Sequence, residues 1–199
     1  MKDIVFDLGG VLIDWNPRYL YKKIFASTEE MEWFLSNVCT PEWNARQDAG
    51  RPFAEALALV TEKYPKYAAQ INDYYARWEE TLGGPIKGTV ALWQELKNKG
   101  CHVYALTNWS AETFPIAKQK YDFLQKMDGI VVSGEEKMNK PNPEIYKRLL
   151  ARYGLQANNC VYIDDSLPNV EAAVQLGFDV IHFVSPEVLR LELLKRGLL

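Results

Sequence analysis

Cysteine is scarce in this chain: Cys39, Cys101 and Cys160 lie far apart, odd in number and without a C-x-x-C pair. A disulfide framework or a cysteine zinc site is thereby excluded, and the three read as small buried residues of a reduced compartment. An excess of one charge is missing too, since the formal net charge is −3. That leaves no electrostatic reason to expect nucleic acid or an anionic membrane as partner. Long apolar runs are also missing. Two aspartates interrupt Met-Lys-Asp-Ile-Val-Phe-Asp-Leu at the N-terminus, so it reads as neither signal peptide nor membrane span. The expectation is a cytoplasmic protein. Only two histidines occur, His102 and His182, both inside strand patterns and neither beside a plausible nucleophile. They read as core or edge residues.

What is present is an ordinary globular composition, 48% hydrophobic and 25% charged over 199 residues. That length suffices for one core plus a small second unit. Ile4-Val5-Phe6 is a short strand, followed by Gly9-Gly10 and a second apolar run, Val11-Leu12-Ile13. From about Asn16 to Gly84 no strand is evident. Ser27-Thr28-Glu29-Glu30 resembles a capping box, and Met31, Phe34, Leu35 and Val38 follow at helical spacing. Phe53, Leu57 and Val60 repeat the pattern, as do Tyr67, Ile71 and Trp78. Residues 16–84 are therefore expected to form a small all-helical cap domain whose aromatic stripes are its core. Residues 1–15 and 85–199 are expected to form an α/β core domain, with Gly83-Gly84-Pro85 as the return linker.

Beyond Pro85, strand and helix alternate. Helices are predicted near Thr89–Lys97, from a Ser110 cap towards Gln125, from the Asn142-Pro143 start to about Arg152, at Pro168–Leu176 and after Ser185-Pro186. Strands are predicted at Cys101–Leu106, Gly129–Val132, Cys160–Ile163 and Phe178–Phe183. This alternation argues for a doubly wound, Rossmann-like parallel sheet, with ligands at the carboxyl ends of its strands.

Polar residues fall at those ends: Asp7, then Thr107-Asn108, then Asp164-Asp165, with Lys140 in the loop before the Asn142-capped helix. Crowded carboxylates resist ionising, and a divalent cation relieves this. Magnesium is hard, prefers oxygen and is held by few carboxylates together with water and phosphate. A hydroxyl, a backbone N–H and a lysine are what a phosphoryl group needs as its charge spreads in the transition state. A carboxylate in line with phosphorus can act as nucleophile and form an aspartyl-phosphate. The expected cofactor is thus Mg2+ and the expected partner a small-molecule phosphate ester.

Four segments, Phe6-Asp7-Leu8-Gly9-Gly10-Val11, Leu106-Thr107-Asn108, Lys140-Pro141-Asn142-Pro143 and Tyr162-Ile163-Asp164-Asp165-Ser166, occur in an order and spacing that resemble the haloacid dehalogenase-like (HAD) hydrolase superfamily over nearly the whole chain. The helical insert stands where that family's helical cap enters. The resemblance implies Asp7 as nucleophile and metal ligand. It implies Thr107 and the backbone N–H of Asn108 as phosphoryl-binding, and Lys140 as the cation that neutralises the phosphoryl group and steadies Asp7. Asp165 is implied as a direct metal ligand, Asp164 as a direct or water-mediated helper, and the Gly9 carbonyl as the remaining ligand.

One position departs from the family pattern. Its phosphatases carry a second aspartate two residues after the nucleophile, where this chain has Gly9. That acid protonates the leaving group and then activates water, help worth about 100- to 10,000-fold. An Asp-Leu-Gly-Asn motif occurs in a bacterial glucose-1-phosphate phosphatase subgroup that the chain also resembles. Selectivity for activated phosphates, such as sugar-1-phosphates, is the expectation. Asp14 reads as a cap or hinge residue rather than a substitute acid. Trp109 is a candidate for bordering the substrate. Trp43, Asn44, Arg46 and Asp48 lie between two predicted cap helices, with Arg46 a candidate for a second anionic group. Asn169 either supports the metal loop or belongs simply to its helix. The leading reading is a magnesium-dependent small-molecule phosphatase. The alternatives are a 2-haloacid dehalogenase, which needs no leaving-group acid but lacks such an aspartate pair, and a degenerate phospho-ligand-binding protein. No residue pattern specifies an oligomeric state.

Overall fold

A computed structural model describes residues 2–199. Its centre is a parallel sheet of β1 (Asp3–Phe6), β4 (Val103–Thr107), β5 (Gly129–Val132), β6 (Cys160–Asp164) and β7 (Asp179–His182), in the order β5-β4-β1-β6-β7. β2 (Ile13–Trp15) and β3 (Leu82–Pro85) form a separate antiparallel ribbon. β1 is central because its run is apolar on both faces. Phe6 is in register with Ala105 of β4 and Ile163 of β6. Ile4 and Phe6 join one buried cluster, Val5 the other, as the two-residue period of a strand requires. Ile4, Val5 and Phe6 are fully buried, each worth roughly 1.5–3 kcal/mol of removal from water.

Helices Lys87–Asn98 and Pro186–Lys195 lie on the Ile4/Phe6 side of the sheet, through Leu92, Trp93, Leu96, Leu189 and Leu193. Helix Pro143–Tyr153 covers the other side through Ile145, Tyr146 and Leu149. It starts where predicted: the Asn142 side chain accepts the Glu144 N–H, Pro143 takes the first position, and left-handed Gly154 ends it. Strand order reverses beside β1, so the loops after β1, β4 and β6 meet at one edge.

Between the ribbon strands the chain is helical, with its own buried cluster of Leu20, Tyr21, Met31, Phe34, Ile71 and Tyr74. The rings of Tyr21 and Phe34 lie 4.9 Å apart, and Tyr21 donates its hydroxyl to the Gln70 carbonyl at 2.8 Å. The aromatic stripes therefore pack as core. Ser27 accepts the Glu30 N–H at the head of helix Thr28–Asn37.

Three local expectations fail. The region up to Gly84 does contain strand, because β3 pairs with β2, Asp14 facing Gly84 and Trp15 facing Leu82. Trp43, Asn44, Arg46 and Asp48 are not in a loop but in helix Pro41–Asp48, whose Thr40 cap accepts the Trp43 N–H and whose first residue is proline. Ser110 caps no long helix. Its hydroxyl accepts the Glu112 N–H in a turn, and two short helices follow, Phe114–Lys120 and Asp122–Gln125. No helix among the described residues is long and apolar enough to cross a membrane.

Candidate active site

The loops at that sheet edge bring Asp7, Lys140, Asp164 and Asp165 together. Carboxylate oxygens of Asp7, Asp164 and Asp165 lie within 4.8 Å of one another. Asp7 follows β1 directly, and its backbone N–H extends the ladder to the Ile163 carbonyl at 2.8 Å. Its Oδ1 accepts the Leu8 N–H at 2.7 Å and the Lys140 ammonium at 2.9 Å. Lys140 spends its three protons on Asp7 Oδ1, Asp164 Oδ2 at 2.8 Å and the Leu106 carbonyl at 2.8 Å. Burial disfavours its charge, but the two carboxylates outweigh this and hold the ammonium protonated far above neutrality. Asn108 fixes the lysine's backbone from both sides, accepting the Lys140 N–H at 2.8 Å and donating to its carbonyl at 3.0 Å.

Asp164 is fully buried and saturated. It accepts from Lys140, the Tyr162 hydroxyl, the Ser166 N–H and the Asn169 amide. Asn169 thus braces this loop from the first turn of helix Leu167–Gln175. Asp165 is exposed by contrast, and its carboxylate lies against Gly10. A Cβ at Gly10 would collide with Asp165 Oδ2, and Gly10 also has φ of +75°. Glycine is required there on both counts. Gly9 differs: a Cβ there would meet nothing within 4 Å.

Burial pushes Asp7 up to about 7, opposed by Lys140 and reinforced by Asp164 and Asp165. Partial desolvation and the Asp164 charge also raise Asp165. These are carboxylates in want of a further positive charge. All the donors are oxygen, the set a hard divalent cation takes. The Thr107 hydroxyl, at the end of β4, is buried without a partner in the protein, a polar atom with a bond still to make.

A cavity adjoins this cluster through Gly9 and Asn108. Its aromatic wall is Trp15 of the ribbon, Tyr75 and Trp78 of the helical insertion and Trp109 of the core. Trp78 and Trp109 meet edge to face at 5.6 Å. Asn44, Asp48, Ser110 and Thr113 complete the lining. Arg46 is exposed and is not among these residues. Asp14 accepts the Tyr19 hydroxyl in the ribbon and is likewise outside the cavity. His182 contacts the Asp165 carbonyl at 3.0 Å, and His102 is exposed beside Asp128. Sequence reasoning missed Tyr162, although it shares a strand face with Asp164 two residues on. It also missed Ser133, Tyr75 and Trp15, for which no local signal exists.

A parallel sheet with carboxylates, a buried lysine and an open threonine at its carboxyl edge defines a hydrolase of the Rossmann-like kind. The chain belongs to the haloacid dehalogenase-like hydrolases, whose family model matches residues 1–177. It is 29% identical to the sesquiterpene phosphatase astK of Aspergillus oryzae, over 91% of this chain and 89% of that protein. It is 24% identical to a phosphorylated carbohydrates phosphatase of Thermotoga maritima, over 92% of this chain and 85% of the other. A HAD family enzyme of Bacteroides thetaiotaomicron, solved in complex with magnesium and inorganic phosphate, superposes with a TM-score of 0.68 at 26% identity, over 93% and 95% of the two chains.

Proposed function

We propose that this chain is a magnesium-dependent phosphatase that acts on small-molecule phosphate monoesters through an aspartyl-phosphate on Asp7. The observation that carries the reading is the buried Lys140 ammonium, shared between Asp7 and Asp164. The phosphatase relatives and the magnesium complex of the similar structure support it.

Asp7, Asp165 and the Gly9 carbonyl would hold the magnesium, with Asp164 orienting the loop through its filled hydrogen bonds. Bound there, the ion supplies the positive charge that lets the crowded carboxylates ionise together and offsets phosphoryl charge. Asp7 attacks phosphorus with a carboxylate that Lys140 and the Leu8 N–H hold in one orientation. Thr107 and the Asn108 N–H bind the equatorial oxygens, and Lys140 stabilises their charge. Water then cleaves the aspartyl-phosphate. The rings of Trp15, Tyr75, Trp78 and Trp109 give the cavity an apolar wall, which suits an organic group with a flat or apolar face.

Phosphate release from a panel of monoesters with and without magnesium tests the reading, with Asp7→Asn as the control. Magnesium-dependent release abolished by Asp7→Asn is the expected result. Folded protein that releases none from the panel would sink the idea. Halide release from 2-chloropropionate in the presence of a chelator would replace it with a dehalogenase.

A further inference from the structure

Hydrolysis of an alkyl phosphate needs a proton for the departing alkoxide and a base for the incoming water. The cluster beside Asp7 supplies neither. Lys140 has all three protons committed, Asp164 is saturated, and Asp165 lies with Asp7 at the cation site. Gly9 contributes no side chain. Among the residues lining the adjoining cavity, Asp48 is the one carboxylate.

We propose that Asp48, carried in by the helical insertion, is the general acid and base of this site, a role that rests on the phosphatase reading. Two contacts place it. The Asp48 carbonyl accepts the Ser133 hydroxyl at 2.5 Å, and the same Ser133 oxygen accepts the Trp109 N–H at 2.9 Å. The end of helix Pro41–Asp48 is thereby latched onto the loop that follows Thr107 at the end of β4. The Ser110 backbone N–H on that same loop favours the charged form of the Asp48 carboxyl. Neighbouring contacts seat the segment further: Asn139 donates to the Ala45 carbonyl at 2.6 Å, and Glu112 accepts the Phe53 N–H at 2.7 Å.

The side chain is also held from behind by a directed chain of hydrogen bonds. Arg51 donates to Gln47, Gln47 to the Tyr75 hydroxyl at 2.9 Å, Tyr75 to Asn44 at 3.2 Å, and Asn44 to Asp48 Oδ2 at 3.0 Å. Four residues, one of them the half-buried Tyr75, are thus spent on orienting one carboxyl. Burial pushes Asp48 up to about 7, with the Ser110 N–H opposing. The titratable groups facing it are Tyr74 and Tyr75, both raised far above neutrality by burial and neutral when Asp48 titrates. A carboxyl near neutrality can give a proton in one step and take one in the next.

The steps balance. Asp7 attacks phosphorus, the bond to the ester oxygen breaks, and its electron pair takes the Asp48 proton. The products are the alcohol, the aspartyl-phosphate and an Asp48 carboxylate. Water then attacks phosphorus as Asp48 takes its proton, and the bond to Asp7 breaks. Phosphate leaves with Asp7 ionised and Asp48 protonated.

The test compares wild type, Asp48→Asn and the double variant Gly9→Asp/Asp48→Asn on an alkyl phosphate and on 4-nitrophenyl phosphate, with magnesium. Asp48→Asn should lose about 100- to 10,000-fold in kcat on the alkyl ester. With 4-nitrophenyl phosphate, whose phenolate needs no proton, it should give a burst of one equivalent followed by slow turnover. Gly9→Asp has room for its Cβ and should restore much of the alkyl-phosphate rate. Alkyl-phosphate turnover by Asp48→Asn within about twofold of wild type overturns the role while leaving the phosphatase reading standing. An equal loss on both esters with no burst and no rescue overturns it as well, because a structural latch alone would behave so. No release from either ester by wild type overturns this proposal and its parent together.

Discussion

Lys140 and Asp7 form an enclosed ion pair, 2.9 Å between Nζ and Oδ1, with the lysine side chain 0% and the aspartate 11% exposed. The same nitrogen reaches Asp164 Oδ2 at 2.8 Å, so one cation serves two carboxylates drawn from opposite ends of the chain. Removing it strands both. Lys140→Met should lower stability by about 3–5 kcal/mol in denaturant melts at pH 8. Phosphate release should fall more than about 100-fold. The stability loss should shrink at pH 5, where the stranded carboxylates take up protons. A variant equally destabilised at both pH values would show that charge is not the cause.

Without metal, Asp7 holds its proton more tightly in the folded protein, at about 7 against an ordinary 3.8. Stability from this group is therefore fully present below the unfolded value. It is lost progressively as pH rises to about 7, and the loss is complete above that. Metal-free Asp7→Asn should melt above metal-free wild type at pH 8, and the two should converge near pH 4. Magnesium should raise the melting temperature of wild type far more than that of the variant. Identical pH profiles for the two proteins would refute this assignment.

Adjacent glycines should answer oppositely to the same change. Gly9→Ala adds a methyl into open space and should alter stability by less than about 0.5 kcal/mol. Gly10→Ala forces φ of +75° on alanine and drives a methyl into Asp165. It should cost more than about 1 kcal/mol and weaken magnesium activation. Magnesium titrations of activity on both variants check the contrast.

Thr107 offers a separation of stability from activity. Its hydroxyl is buried and unpaired in the protein. Thr107→Val replaces it with a methyl of similar shape in a strand, where valine is favoured. Stability should hold or rise by about 1 kcal/mol, while phosphate release falls at least about tenfold. Unimpaired turnover would remove Thr107 from the site.

Much of the sheet was legible because its strands are short β-branched or aromatic runs closed by turn residues, as in Gly129–Val132. The Asn142-Pro143 start and the Ser185 cap were legible because their signals are local. The ribbon was not: Leu82-Gly83-Gly84-Pro85 has no apolar alternation and exists only because Ile13–Trp15 lies opposite. Helix Pro41–Asp48 carried a readable signal in Thr40-Pro41 but has only one buried residue, Gln47, so no apolar stripe announced it. Asp7 and the Asp164-Asp165 pair were legible as strand-end polar residues, and Lys140 as a cation in the loop before the Asn142-capped helix. The latch from Ser133 to Asp48 joins positions 85 residues apart, and only the folded chain brings them together.

The ribbon has a consequence for inheritance. Ile13 faces Pro85 and Trp15 faces Leu82, so the helical insertion leaves and rejoins the sheet through two neighbouring backbones. The cost of closing such an excursion grows only with the logarithm of its length. A descendant can therefore exchange, shorten or enlarge everything between those strands while Asp7 and Lys140 keep their places. If the acid travels with the insertion, as Asp48 does, each exchange resets substrate fit and proton supply in one event.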